Sequence, residues 1–224
     1  MSITYEALKN DEQVRSYIQA GNDALKTLGF TEHSFPHVSL TAETAAMILR
    51  ELGHPGETIE LAKIAGLLHD IGNMMNRTFH AANGAEIART ILERHGMPYK
   101  DIGTVCSAIG NHDEKTGKPV NIVSAALIIA DKADVRRCRV QETCMDNIIA
   151  DIHDRVNYAV TRAEVKVIRA EEKAFIRLCL DIDIEFTPVM DYFEIFLGRM
   201  IMCRRAASFL DTTFELFING SKIV

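Results

Sequence analysis

Apolar residues recur at intervals of three and four from about residue 11 to residue 154, the spacing that gives a helix one buried face. Between 80 and 95, for example, Ala81, Ala85, Ala88, Ile91 and Leu92 share a stripe. The pattern predicts helices near 11–28, 38–52, 57–71, 80–95, 98–111, 120–138 and 145–154. They are separated at Leu52-Gly53, Ile71-Gly72, His95-Gly96, Pro98 and Pro119. After residue 155 the period falls to two. Ala163, Val165 and Val167 alternate with Arg162, Glu164 and Lys166, and Leu178, Leu180, Ile182, Ile184 and Phe186 alternate with Arg177, Asp181, Asp183 and Glu185. A hairpin turning at Ala170–Lys173 follows from this. Thr187 and Pro188 read as the N-cap and first position of a helix reaching about Ala207, with Met190, Phe193, Leu197, Met200 and Ile201 inward. A strand over Thr213–Ile218 ends the pattern. The expectation is a mainly α protein: a helical domain over 1–155 and a small β-β-α-β (α+β) domain over 156–224, suited to dimerisation or to covering a substrate.

Composition narrows the class. A chain of 224 residues, 47% hydrophobic, can fill a sizeable core without disulfides. The five cysteines are scattered and never spaced C-x-x-C, so buried free thiols are expected rather than a disulfide framework or zinc knuckle. The polar, acidic N-terminus lacks an export pattern, and the longest apolar stretch, Ile122–Ala130, is too short to cross a bilayer; a cytoplasmic protein is expected. A net charge of −6 offers no general attraction to nucleic acid or anionic membrane, so any phosphate must be met by local cations or metal ions.

The chemistry concentrates at two helix ends. The run Leu61 to Gly72 brings His69 and Asp70 to the end of an apolar helix, and the apolar stretch Ile122–Ala130 runs straight into Asp131. Burying such groups without partners costs several kcal/mol, so hydrogen bonds or a cation must meet them. His37, His80 and His112 lie at or near other helix ends. Imidazoles with carboxylates suit iron, manganese, zinc, cobalt or nickel better than calcium. Six such groups exceed the ligands of one open site, and two ions sharing a carboxylate fit the count. Read singly, His80 has the alternative of capping its helix and His112 that of a surface histidine beside Asp113. His33, His54, His95 and His153 read as surface or loop residues, and Met74-Met75 as packing.

The order His … His-Asp … His … His … Asp resembles the HD superfamily of metal-dependent phosphohydrolases over about residues 33–139. The segments are F-P-H-V-S-L-T-A-E-T-A with His37, A-G-L-L-H-D-I-G with His69 and Asp70, H-A-A-N-G-A-E-I-A with His80, A-I-G-N-H-D with His112, and I-I-A-D-K-A-D with Asp131. The resemblance implies an HD-domain helical bundle. It also implies two divalent metal ions, iron or manganese first and zinc, cobalt, nickel or magnesium next. Asp70 would bridge them, with His37, His69 and Asp131 on one and His80 and His112 on the other. His69 and Asp70 thereby carry the catalysis. The sequence departs from the cyclic-di-GMP branch: it lacks Gly-Tyr-Pro and has Asp113 where a second histidine is common. Asn73 replaces a frequent lysine or arginine, removing one phosphate contact.

The implied reaction is hydrolysis of a phosphate ester or anhydride in a nucleotide or related small molecule by a metal-bridged hydroxide. If the helix bearing Asp131 continues, Lys132, Arg136 and Arg139 form a basic stripe able to clamp phosphate, with Lys115 in the loop after His112 as a further candidate. The expected assembly is a homo-oligomer, a homodimer first. Two other classes remain open: a mixed-valence di-iron oxygenase of a small polyol or phosphonate, which shares the ligand set, and an inactive signalling module, against which the full ligand set speaks.

Overall fold

The computed structural model describes residues 3–171 and 173–224. Its helices are α1 (Tyr5–Lys9), α2 (Glu12–Thr27), α3 (Phe35–Glu51), α4 (Gly56–Leu68), α5 (His80–Arg94), α6 (Tyr99–Gly110), α7 (Ile122–Lys132), α8 (Met145–Ala150), α9 (Ile152–Ala159) and α10 (Val189–Phe209), with 3-10 turns at Ile71–Met74 and Arg137–Arg139. The helix α7 is central: all of its residues from Val123 to Lys132 are buried, and α3, α4, α6 and α10 pack around it. A reciprocal cap starts it, Asn121 accepting from the Ser124 backbone N–H while the Ser124 hydroxyl accepts from the Asn121 N–H.

Three helical expectations are corrected. The segment expected over 57–71 leaves the α-helix after Leu68 and tightens into the 3-10 turn at Ile71–Met74. That expected over 120–138 stops at Lys132, because the Asp134 carboxylate is drawn to His37, Arg136 and Arg139 and turns the chain away. That expected over 145–154 divides at Asp151, which is extended and caps α9 through its side chain.

The sheet is built from β1 (Val160–Arg169), β2 (Ala174–Ile182), β3 (Thr212–Ile218) and β4 (Ser221–Lys222), in that order. The β1–β2 pair is antiparallel with Val165 opposite Leu178, β2–β3 is parallel with Ile176 opposite Phe214, and β4 closes the edge of β3. The expected β-β-α-β order is present. Ala170 N–H donates to the Lys173 carbonyl across the hairpin turn, of which Glu172 lies outside the described residues. Ile184 falls beyond β2 and is exposed. Pro188 caps α10 instead of opening it. The buried face of α10 is Tyr192, Phe196, Met200, Cys203 and Ala207, whereas Met190 is 72% and Leu197 52% exposed. The helix carries two apolar stripes, and the one with the two large aromatic rings entered the core. All five cysteines are free; Cys203 is buried, but Cys138 and Cys144 are exposed, on the surface segment that follows the end of α7.

One glycine decides how closely the first two metal-site helices meet. A Cβ on Gly66 would lie 2.5 Å from the Ala42 Cα, so the backbones of α3 and α4 touch there, and that contact carries His37 to His69.

Candidate metal centre

Each histidine of the cluster reaches the centre from a helix end. His37 is in the first turn of α3, His69 follows the last residue of α4, His80 opens α5, and His112 lies just past α6. Asp131 sits in the last turn of α7, and Asp70 precedes the 3-10 turn. A Cβ on Gly72 would lie 2.0 Å from the His80 carbonyl, so only glycine lets α5 bring His80 this near Asp70.

The four histidines are held alike. Nδ1–H of His37 donates to Asp134 Oδ2 at 2.7 Å, that of His69 to the Gly66 carbonyl at 2.8 Å, that of His80 to the Arg77 carbonyl at 2.8 Å and that of His112 to the Ile109 carbonyl at 2.6 Å. With Nδ1 carrying a proton, Nε2 is the atom that each imidazole turns inward and can offer to an ion. His37 and His69 Nε2 stand 3.2 Å apart, as do those of His80 and His112 at 3.1 Å. Facing lone pairs repel unless a proton or a cation lies between them. Atoms bound at about 2.1 Å to one ion stand about 3.0–3.4 Å from each other, so these spacings are those of shared ligands.

Asp70 divides its oxygens between the pairs. Oδ2 lies 3.4 Å from His37 Nε2 and 3.2 Å from His69 Nε2, while Oδ1 lies 3.6 Å from His80 Nε2 and 3.8 Å from His112 Nε2. Asp131 Oδ1 joins the first pair, 3.4 Å from His37 and 3.6 Å from His69. All six residues are buried, and their donor atoms form three overlapping groups able to hold metal ions.

The electrostatics suit cations. Burial would raise the Asp70 and Asp131 carboxyls, but the facing imidazoles and, for Asp131, the Lys132 ammonium hold both well below the usual range. Burial opposes charge on His69, yet Asp70 and Asp131 outweigh it and lift its pKa to about 10 without metal. His80 goes the other way, pushed down to about 4 by burial despite Asp70.

The basic stripe does not form. Because α7 ends at Lys132, Arg136 turns onto Asp134. Lys132 is buried with Nζ 2.7 Å from Asp131 Oδ2, and Arg139 is buried and donates to the Glu32 and Asp134 carbonyls. Arg139 and Lys115 nevertheless line a cleft of about 630 Å³ together with His33, Arg77 and Asp113.

Sequence reasoning missed three residues here. His33, read as a surface residue, lies with Nε2 3.9 Å from Asp70 Oδ2, and its spacing of four before His37 was the available signal. Asp134 orients His37. Arg77 approaches Asp70 at 4.0 Å and donates to Asn73, whose amide donates to Asp70 at 2.9 Å. A cation thus stands near the place that Asn73 left without one. Met75, expected to pack, is 63% exposed. Phe196 and Arg199 of α10 also line the cleft, so the C-terminal unit forms part of its wall.

A helical bundle with a buried His/Asp cluster, whose neighbours His33 and Arg77 line a polar cleft, is the architecture of a metal-dependent hydrolase. The family model for the HD domain matches residues 35–156, and the chain belongs to the HD-domain family, the metal-dependent phosphohydrolase family that its sequence resembles. An uncharacterized protein of Methanocaldococcus jannaschii is 23% identical over 184 residues, covering 72% of this chain and 70% of that protein. Ribonuclease Y of Enterococcus faecalis is 27% identical over 66% of this chain, and that of Opitutus terrae 30% identical over 57%. The chain spans less than a third of the length of these ribonucleases, 30% and 27%. A solved structure, that of a predicted HD superfamily hydrolase from an uncultured Thermotogales bacterium, shares 25% identity over 58% of this chain and 73% of that one, with a TM-score of 0.43. Among the described residues no helix is long and apolar enough to cross a membrane.

Proposed function

We propose that the protein hydrolyses a phosphate ester or anhydride in a nucleotide or related small phosphorylated molecule, using two divalent ions, iron or manganese first. The observation that carries this reading is the division of the Asp70 oxygens between two pairs of histidine Nε2 atoms, each pair spaced as ligands of a common ion. His37, His69 and Asp131 would hold one ion and His80 and His112 the other, with Asp70 bridging. When bound, such a pair supplies an activated water at neutral pH and neutralises phosphoryl oxygens as charge shifts in the transition state.

The chain's own groups do the rest. Asp134 and the three backbone carbonyls keep each Nδ1 protonated, so Nε2 is the atom each imidazole offers to an ion. Lys132 holds the outer oxygen of Asp131, leaving Oδ1 turned to the histidines. Arg77 and Lys115 meet the phosphate in the cleft, and Arg139, held by the Glu32 and Asp134 carbonyls, braces its wall. Burial, with Arg139 nearby, holds His33 well below the usual histidine range, and its Nδ1–H is given to the Thr31 carbonyl, so Nε2 stays unprotonated and can accept a hydrogen bond beside Asp70. Residues 1–155 carry the chemistry, 156–224 complete the cleft, and the protein works as a homo-oligomer. The name ribonuclease Y designates enzymes acting on RNA, whose backbone is a phosphodiester, and relatedness to them supports phosphoester chemistry.

The test is a panel of nucleotides, dinucleotides, sugar phosphates and short RNA, offered to iron- or manganese-loaded protein with and without oxygen. Release of phosphate or nucleotide independent of oxygen is expected. Oxygen-dependent turnover, or no product from any of them, would overturn the reading.

A further inference from the structure

The outer face of α10 carries a pattern that the core does not use. Positions 190, 194, 197, 201, 204 and 208 recur at alternating intervals of four and three, the spacing of a coiled-coil seam. Met190, Glu194, Leu197, Arg204 and Ser208 are exposed and Ile201 is half-buried, on the side opposite Tyr192, Phe196 and Cys203. Met190 and Leu197, at 72% and 52% exposure, are large apolar side chains standing in water.

The seam is complementary to itself in one orientation. Laid antiparallel on a second α10 about a two-fold axis at residue 199, Leu197 meets Ile201 of the other copy, Glu194 meets Arg204, and Met190 meets Ser208. Each layer then joins the two kinds of seam position, as antiparallel pairs require. Parallel pairing would set Glu194 against Glu194 and Arg204 against Arg204, so charge selects the antiparallel form. A closed two-fold pair uses one surface twice and leaves no open end.

We propose that a second copy of this chain docks on this face, making an antiparallel α10–α10 dimer with Leu197 and Ile201 at its centre and reciprocal Glu194–Arg204 pairs on either side. The surface is distinct from the metal ligands, and the proposal stands or falls independently of the reaction. Phe196 and Arg199, on the other side of the same helix, line the cleft, so the dimer would also steady that wall.

Sedimentation equilibrium on the full-length protein tests it, with circular dichroism to verify folding. The wild type is expected at twice the 25.0 kDa chain mass. Glu194→Arg, which sets arginine against Arg204, and Leu197→Glu should each give the single-chain mass, and Glu194→Arg with Arg204→Glu should restore the dimer. A monomeric wild type, a Glu194→Arg protein that stays dimeric, or a double variant that is folded but monomeric would each overturn the proposal.

Discussion

The Nδ1–H of His37 donates to the carboxylate of Asp134 at 2.7 Å, across 97 residues of sequence and only three residues after Asp131, which faces the same imidazole from its other side. One short segment of chain therefore both supplies a proposed metal ligand and aims its neighbour. Groups that orient a ligand commonly contribute 10–100-fold to metal affinity or activity. Asp134→Ala should cost about that factor in metal affinity, measured by competition with a chelator. It should also lower stability by about 3–5 kcal/mol, because Arg139 and His37 lose a buried partner. Unchanged affinity would remove Asp134 from the site.

The two histidine pairs should fail separately. His80→Ala or His112→Ala is expected to reduce bound metal from two ions per chain to one, with turnover falling at least 100-fold. His69→Ala and Asp131→Ala should weaken the other position. Elemental analysis of dialysed protein reads the ratio directly.

Without metal, His69 titrates at about 10 against 6.5 when unfolded, so its protonation favours the folded state fully below pH 6.5, and that contribution disappears as pH rises through 10. Metal must displace this proton. The melting temperature of chelator-treated protein should therefore fall between pH 7 and 10, while the gain on adding manganese grows over the same interval. Parallel melting curves at several pH values check both, and a manganese effect that shrinks with rising pH would contradict the assignment.

Gly66→Ala should force α3 from α4, since the added methyl meets the Ala42 backbone. A destabilisation of about 1–3 kcal/mol is expected from such overpacking, with loss of metal as His37 leaves His69. Thermal melts with metal analysis on the same sample separate the two effects.

Much of this site was legible in the sequence because its residues sit where a pattern changes. His69, Asp70 and Asp131 follow uninterrupted apolar runs, and the structure buries those runs as α4 and α7. His37, His80 and His112 mark helix ends, where a side chain can lean into a shared centre. The basic stripe failed for a reason no local pattern carries: α7 stops because Asp134 is claimed by His37, 97 positions earlier. His33 looked like a loop histidine because its environment, Asp70 and Arg139, is assembled only by the fold. The face of α10 was misassigned because it carries two apolar stripes, and only packing against the sheet and α7 chooses between them. The sheet itself followed from strict alternation, but its order depended on α10 crossing from β2 to β3.

The most direct measurement is X-ray diffraction from crystals of manganese-loaded protein, collected at the manganese edge. Two anomalous peaks are expected, one among His37, His69 and Asp131 and the other between His80 and His112, with Asp70 reaching both. A single peak, or none within coordinating distance of these six side chains, would contradict a two-ion centre.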